Sequence, residues 1–218
     1  MEMKILDPIG NPEQSDWILI QPVDDHDEGT LGNEIRHIKE ICSDSFALFP
    51  VKVDWFTDLT PWPASAAFKG QPDFGDNASD TLQSILDSIV SRWTGKKIIL
   101  GGYSLAGFFA LWAGYQTDVF DGIVAASPSV WYPGWDEYIV DRRMKSKAVY
   151  LSLGDREERT RNMVMRTVGD RIREQYRVLQ SLGTRCELDW NEGNHFKDPE
   201  IRIAAGFAWV MNTERAAT

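Results

Sequence analysis

Hydrophobic residues in this chain fall into two patterns that alternate along it. Short, nearly continuous apolar runs are typical of strands buried on both faces of a sheet. Between them, apolar residues recur every three or four positions, as on one side of a helix. The predicted strands are Trp17–Val23, 46–55, 97–101, Gly122–Ala126, 148–153 and 186–190. The predicted helices are 31–42 with Ile35, Ile38 and Ile41 on one side, 78–93 ended by Gly95, 105 to about 114, 164–179 capped by Gly183, and one opened by Asp198, Pro199 and Glu200.

The alternation of strands and helices predicts the fold class. It favours an α/β protein with a mostly parallel sheet, helices on both faces and right-handed crossovers, in a single domain over residues 1–218. In such sheets, functional groups gather where the strands end at their carboxyl side. Residues just after each predicted strand are therefore the candidates for chemistry.

Two irregular segments interrupt the alternation, one over 57–77 and one over 127–135, and both are rich in aromatic residues. Long loops in compact domains are often functional. Aromatic walls suit a small apolar acyl or aryl group, although the same rings could simply pack the loops onto the sheet. The candidate substrate-binding residues are Trp62, Phe68, Trp131 and Trp135 in these segments, with Tyr103 and Phe108 beside a serine at position 104.

Composition and charge narrow the functional classes. The chain carries 33 acidic residues against 23 Lys plus Arg, a net charge of −10, and it has no basic stripe, so nucleic-acid binding is not expected. No stretch is apolar enough to span a membrane and the amino terminus lacks a signal peptide, so we expect a cytoplasmic protein without a membrane partner. Cys42 and Cys186 have no metal or redox spacing and are expected to be reduced, buried thiols.

The segment from residue 98 to residue 112 contains the strongest chemical signal. An apolar strand breaks into Gly102, Tyr103 and Ser104 and continues as an apolar helix. A sharp strand-to-helix turn holds a serine hydroxyl rigidly where a base can activate it, and it requires small residues on either side. Gly102 satisfies this requirement two positions before the serine, whereas Ala106 stands where glycine is usual. Ser104 is the predicted nucleophile.

A base and an acid must accompany the serine. Of three histidines, His195 follows the last predicted strand in a glycine-containing loop and is favoured over His26, while His37 lies within a helix among charged residues. The acid should follow the fifth strand, in the chain order serine, acid, histidine. Glu157 is favoured there, with Glu158 and Asp155 as alternatives, and Asp155 could instead cap a helix.

The oxyanion formed during acyl transfer needs two hydrogen-bond donors. The amide of Leu105, directly after the nucleophile, is the first candidate. The second is expected in the loop after the first strand, near Asp24. The cluster of Asp24, Asp25, His26 and Asp27 in that loop is interpreted as an acidic loop, so no metal site is predicted.

Together these motifs resemble those of the α/β-hydrolases, in the branch that contains the esterase D and enterochelin-esterase-like proteins. The motifs are GYSLAG at 102–107, FDG at 120–122, ASPSVW at 126–131, SLGDRE at 152–157 and GNHF at 193–196. The resemblance implies a three-layer hydrolase fold and a serine carboxylesterase without a cofactor that acts on a small ester. It supports Ser104 and His195 and leaves the acid open near Glu157.

The chain departs from this family at Ala106 and in its short length, which leaves room for only a minimal lid. Two alternatives to an esterase stay open. The same residues could transfer an acyl group to an alcohol or thiol, or the fold could serve as a non-catalytic binding protein. The sequence does not predict the oligomeric state.

Overall fold

The continuous apolar runs form one seven-stranded sheet in the computed structural model, which describes residues 3–67 and 69–215. The strand order is β1-β3-β2-β4-β5-β6-β7, with β1 antiparallel to β3 and every other neighbouring pair parallel. The strands are β1 (Lys4–Ile5), β2 (Trp17–Val23), β3 (Phe46–Lys52), β4 (Lys97–Tyr103), β5 (Gly122–Ala126), β6 (Ala148–Gly154) and β7 (Arg185–Asn191).

Helices cover both faces of the sheet because successive strand residues point to opposite sides. Ile18 and Ile20 of β2 join one apolar cluster, whereas Trp17 and Leu19 of the same strand join the other. Helices α1 and α6 cover the second cluster, and the remaining helices cover the first. The helices are α1 (Asp25–Ile41), α2 (Ala78–Ser88), α3 (Leu105–Gln116), α4 (Trp135–Val140), α5 (Val168–Ser181) and α6 (Pro199–Arg215).

The predicted α/β class with a mostly parallel sheet and helices on both faces is confirmed. All six predicted strands are present, although β3 ends at Lys52 and not at 55. The sequence missed β1, because a two-residue edge strand is too short to show a period. It also missed α4, whose six residues continue directly from the second aromatic segment. The predicted helix over 78–93 ends as α2 at Ser88, and a separate 3-10 turn, Val90–Arg92, follows it. Helices α1 and α5 differ from the prediction in where they begin.

Helix α1 begins at Asp25, six residues before the predicted start. The Asp24 side chain accepts hydrogen bonds from the amides of His26 and Asp27, and Asp27 closes a capping box with Asp24. The acidic residues that suggested a loop are therefore a helix cap. Of the three isoleucines predicted on one side of this helix, Ile35 and Ile38 are buried, whereas Ile41 at its last residue is 53% exposed.

Helix α5 begins at Val168, after a single turn of 3-10 helix over Met165–Thr167, so Val164, the first residue of the predicted helix, lies outside α5. Of the two cysteines, which were both expected to be buried, Cys42 is buried and Cys186 is only partly buried. Phe68 lies outside the described residues. Within the described ranges, we find no helix with the length and apolar character that crossing a membrane requires.

Candidate active site

Ser104 occupies a tight turn between β4 and α3 with a backbone φ of 55°. A Cβ atom on Gly102 would lie 2.5 Å from the Cβ of Ala106, so a side chain can be accommodated at only one of these positions. Because Gly102 has no side chain, the chain tolerates Ala106. The turn is tied to its surroundings because the Ser104 amide donates to Ala126 O at 3.1 Å and the Ser129 amide donates to Ser104 O at 3.0 Å. The serine hydroxyl is thus held at the carboxyl edge of the sheet.

His195 is the histidine that reaches this serine. Its Nε2 lies 3.1 Å from Ser104 Oγ, and its Nδ1 lies 2.7 Å from Glu157 Oε2. An ionised carboxylate can only accept, so Nδ1 carries the hydrogen and Nε2 is left to accept the serine proton. His26 is exposed in the first turn of α1, and His37 contacts Glu40 on the same helix.

Of the three candidate acids, the structure brings Glu157 to the histidine. Glu158 instead pairs with Arg173 at 3.1 Å. Asp155 accepts the amide of Gly193 at 2.8 Å, so it braces the loop that precedes His195 and caps no helix. The three acids adjoin one 3-10 turn, Glu157–Arg159, and their order around that turn determines which one faces His195.

The Glu157 carboxylate is buried but accepts several hydrogen bonds. Besides His195, the donors are Ser127 Oγ and the Gly154 amide, both at 2.7 Å, and Arg202 Nη1 at 2.9 Å. Burial acts to raise the pKa of Glu157. The hydrogen bond and charge of His195, together with Ser127 and Gly154, outweigh burial, and the pKa lies below its ordinary value. The carboxylate is therefore ionised in the folded protein.

Arg202 of α6 lies behind this acid and was not predicted from the sequence. It is 2% exposed, and its Nη1 also donates to Ser127 Oγ at 2.9 Å and to the Tyr103 hydroxyl oxygen at 3.1 Å. Its Nη2 donates to Asn194 O at 3.0 Å, in the loop that carries His195. One buried guanidinium thus connects the acid to the histidine loop. Its position within an apolar helix gives no periodic signal that could have identified it.

Tyr103 supports the histidine and does not line the cavity. Its hydroxyl donates to His195 O at 2.8 Å, and burial raises its pKa to about 12. The prediction that it contacts substrate is therefore not supported.

Three further aromatic residues that were predicted to bind substrate do not line the cavity. Their rings instead pack the aromatic segments onto α3 and α4. Phe108 is fully buried against Trp135, which is itself 1% exposed and stacks on Tyr138. Trp62 donates its Nε1 hydrogen to Pro133 O at 2.7 Å and packs on Tyr132. Trp131 is the candidate that does line the cavity beside Ser104.

The two predicted oxyanion donors differ in placement. Leu105 lines the cavity at the first residue of α3, where a helix amide has no intrahelical acceptor. The Asp24 amide instead donates to Asp27 Oδ2 in the cap of α1, so the structure does not support it as a donor. The sequence missed Ser129, which is 1% exposed with its Oγ 3.3 Å from Ser104 Oγ. Ser129 thus brings a second hydroxyl group next to Ser104 Oγ.

A cavity of about 440 Å³ opens beside these groups. Its size suits a small ligand, and its wall is mostly apolar. The apolar lining residues are Trp55, Phe56, Phe74, Leu105, Trp131, Met165, Val168 and Phe196, and the polar ones are Ser104, Ser127, Ser129, Arg156, Glu157, Arg159, Thr160, Asn194 and His195.

The acidic cluster after β2 is explained without a ligand. Asp24 caps α1, and Asp25 pairs with Lys52 at 2.5 Å. Among residues 3–67 and 69–215, no three His, Cys, Asp or Glu side chains form a group that could hold a metal ion.

Solved structures match this chain along most of its length. A siderophore hydrolase, EstA from Aspergillus nidulans, is 19% identical with a TM-score of 0.65, over 94% of this chain and 84% of its own. An IroE-like serine hydrolase from Shewanella oneidensis is 17% identical with a TM-score of 0.70, over 95% and 74%. The enterobactin esterase FES from Shigella flexneri, solved in the presence of enterobactin, is 14% identical with a TM-score of 0.66, over 97% and 55%.

No protein-family model matches the chain, and no curated protein matches it in sequence. At these identities, the structural similarity establishes architecture and leaves activity to be argued from the site. The predicted resemblance to the α/β-hydrolase esterases is confirmed at the level of the fold: this chain has the fold of the α/β-hydrolase-type esterases.

Proposed function

We propose that this protein is a serine hydrolase that cleaves a small carboxylic ester through an acyl-enzyme. The observation that carries the proposal is the continuous contact from Ser104 Oγ to His195 Nε2 at 3.1 Å and from His195 Nδ1 to Glu157 Oε2 at 2.7 Å. A strained serine turn, a neutral imidazole and a buried ionised carboxylate are the parts that nucleophilic acyl transfer requires. The esterases among the structural neighbours support the same reaction class.

In this mechanism, His195 removes the Ser104 proton as Oγ attacks the ester carbonyl carbon. The Leu105 amide stabilises the resulting oxyanion, and Glu157 stabilises the imidazolium without itself taking the proton. The imidazolium then protonates the departing alcohol, which leaves an acyl group on Ser104. Water, deprotonated by His195, attacks the acyl carbon of this acyl-enzyme, and the imidazolium returns the proton to Ser104 Oγ as the carboxylic acid is released.

The cavity wall supports an ester with an apolar or aromatic group. Trp131, Phe74 and Trp55 form an apolar part of the cavity wall. Burial of apolar surface at about 25 cal/mol per Å² makes such a wall favour longer or aromatic groups until the cavity is full. We therefore expect activity to rise with acyl length and then fall.

A fluorophosphonate probe and a series of para-nitrophenyl esters test the proposal directly. We expect labelling and turnover by the parent protein, no labelling of Ser104→Ala, and a loss of about 10⁴-fold or more in kcat for Ser104→Ala and His195→Ala. Matched controls are Ser43→Ala, at an exposed position between α1 and β3, and His37→Ala, at a partly exposed position on α1. Both controls should keep the parent activity.

A parent protein that is neither labelled nor active would overturn the esterase proposal and leave a binding protein as the alternative. Labelling that persists in Ser104→Ala would place the nucleophile elsewhere. Product analysis with added alcohol separates hydrolysis from acyl transfer, because a transferase would form the new ester in preference to the acid. The single-domain organisation over 1–218, the cytoplasmic location and the absence of nucleic-acid and membrane partners stay predictions from the sequence.

A further inference from the structure

Two arginines line the cavity of a protein whose net charge is −10. Arg156 precedes the short 3-10 turn that carries Glu157, and Arg159 is the last residue of that turn. Among the described lining residues, Glu157 is the single acid, and its carboxylate is already bound by His195 and Arg202. The cavity wall therefore has a positive charge that the rest of the chain does not share.

Acidic residues near these two arginines leave this charge largely uncompensated. Glu158 pairs with Arg173 at 3.1 Å and Glu192 pairs with Lys197 at 3.4 Å. Asp155 lies 3.8 Å from Arg156 Nε, beyond hydrogen-bonding distance, and its Oδ1 already accepts the Gly193 amide.

In the part of the chain that the structure describes, no carboxylate pairs with Arg159. The Arg156 side chain is 58% exposed. Both guanidinium groups are thus available to an anion that enters the cavity.

We propose that the substrate is an ester that also carries a carboxylate, with its apolar part against the aromatic wall and its carboxylate on Arg156 and Arg159. This inference rests on the proposed esterase function and deepens it. A guanidinium offers paired N–H donors that match the two oxygens of a carboxylate. Apolar contact from residues such as Phe196, which is 85% exposed beside His195, would hold the rest of the molecule.

Matched ester pairs that differ only in charge test the proposal. For the acyl side, the pair is para-nitrophenyl para-carboxybenzoate and para-nitrophenyl para-carbamoylbenzoate. For the alcohol side, the pair is para-butyryloxybenzoate and para-butyryloxybenzamide. The para geometry prevents the carboxylate from attacking its own ester. The measured quantity is the ratio of kcat/KM for the anionic ester to that for the neutral one, after correction for hydroxide-catalysed rates.

In the parent protein, we expect a ratio of about ten for at least one pair, the effect of one charge-assisted hydrogen-bonding contact at a partly exposed site. The ratio should fall toward one in Arg156→Gln and Arg159→Gln and as the salt concentration is raised. Arg161→Gln is the matched control, because Arg161 is exposed on the same segment but does not line the cavity. Each ratio is taken within one variant, so a partial folding defect cancels.

Three outcomes would overturn the inference while leaving the esterase function intact. They are a parent ratio at or below one for both pairs, a ratio that survives both cavity substitutions, and a ratio that falls equally in Arg161→Gln. Failure of the parent protein to hydrolyse any ester would instead overturn the proposed function, and this inference with it.

Discussion

Two buried glutamates in this molecule have carboxyl groups in opposite states. Glu34 of α1 is 1% exposed and receives one hydrogen bond, from Gln21 Nε2 at 3.1 Å. Burial raises the pKa of Glu34 to about 8, and the nearby Asp27 and Glu200 add to that shift. Glu157 is 8% exposed, yet its pKa lies below the ordinary value because its hydrogen bonds and the charge of His195 outweigh burial.

Hydrogen-bond donors, more than the depth of burial, determine whether a buried carboxyl keeps its charge. Glu157 receives four hydrogen bonds, including one from the Arg202 guanidinium. Glu34 receives a neutral amide only, and in the described structure neither Glu34 Oε1 nor Gln21 Oε1 has a partner. A proton on Glu34 would let it donate to Gln21 Oε1, which satisfies both atoms. The candidate site thus holds an ionised carboxylate beside His195, while α1 holds a neutral carboxyl.

Among the substitutions considered, Glu157→Gln should lower activity most, because it removes the charge of the side chain and keeps its shape. We expect kcat to fall by about 10³-fold to 10⁴-fold, since the imidazolium loses its counter-charge and the histidine its correct tautomer. The measurement is kcat on a para-nitrophenyl ester, beside Glu158→Gln and Asp155→Asn as controls. Equal small losses in all three variants would sink the assignment of Glu157 as the acid.

Arg202→Met should have the next largest effect. Partners of this kind contribute about 10-fold to 100-fold to activity, and an unpaired buried carboxylate costs about 3–5 kcal/mol of stability. Without the guanidinium, Glu157 accepts a proton more easily, so the acidic limb of the kcat/KM profile should move to higher pH. Arg202→Lys keeps a positive charge and should restore part of that shift.

A purely structural role for Arg202 makes a different prediction. It would lower kcat/KM at all pH values and leave the acidic limb in place, in Arg202→Met and Arg202→Lys alike. Arg166→Met, at an exposed position in the turn before α5, controls for the loss of one arginine elsewhere.

The sequence predicted the parts of the site that depend on local pattern. Ser104 lies between an apolar strand and an apolar helix, and His195 follows the last strand, so both positions could be read along the chain. The acid could not be identified from the sequence in this way, because Asp155, Glu157 and Glu158 lie in or beside one short turn. Their directions depend on how that turn packs against the His195 loop.

Long-range contacts account for what the sequence missed at the site. Arg202 occupies an ordinary helical position, and only the packing of α6 on β4, β5 and β6 brings it to Glu157. The sequence could not separate the aromatic candidates for a related reason, because Phe108 and Trp135 fill the core whereas Trp131 borders the cavity. Composition does not distinguish a ring that packs a core from one that lines a pocket.

Glu34→Gln tests whether the buried carboxyl of Glu34 is neutral in the folded protein. The folded protein keeps the Glu34 proton up to about pH 8, whereas the unfolded chain loses it near the ordinary pKa of 4.5. The unfolded state therefore binds fewer protons in this window, so the parent protein loses stability as pH rises from about 4.5 to about 8. Glutamine can pair with Gln21 as an amide without that proton and should remove this loss.

Urea denaturation at several pH values measures the effect. We expect Glu34→Gln to gain about 2 kcal/mol over the parent protein near pH 8 and much less near pH 5. Glu137→Gln, at an exposed position on α4, should show no pH-dependent difference. A difference between Glu34→Gln and the parent that stays constant with pH would show that Glu34 is already ionised in the folded protein.

Ser127→Ala should have the smallest effect, because it removes one neutral donor from Glu157 and leaves three others. A hydrogen bond of this kind is worth about 1 kcal/mol, so kcat should fall by about fivefold and the acidic limb should move only slightly. Ser152→Ala is a matched control, since Ser152 is buried on β6 and its hydroxyl has no partner in the described structure. If kcat falls as far as in Glu157→Gln, the hydrogen-bond donors to Glu157 act as one unit. Their number alone would then not determine the charge of the Glu157 carboxyl.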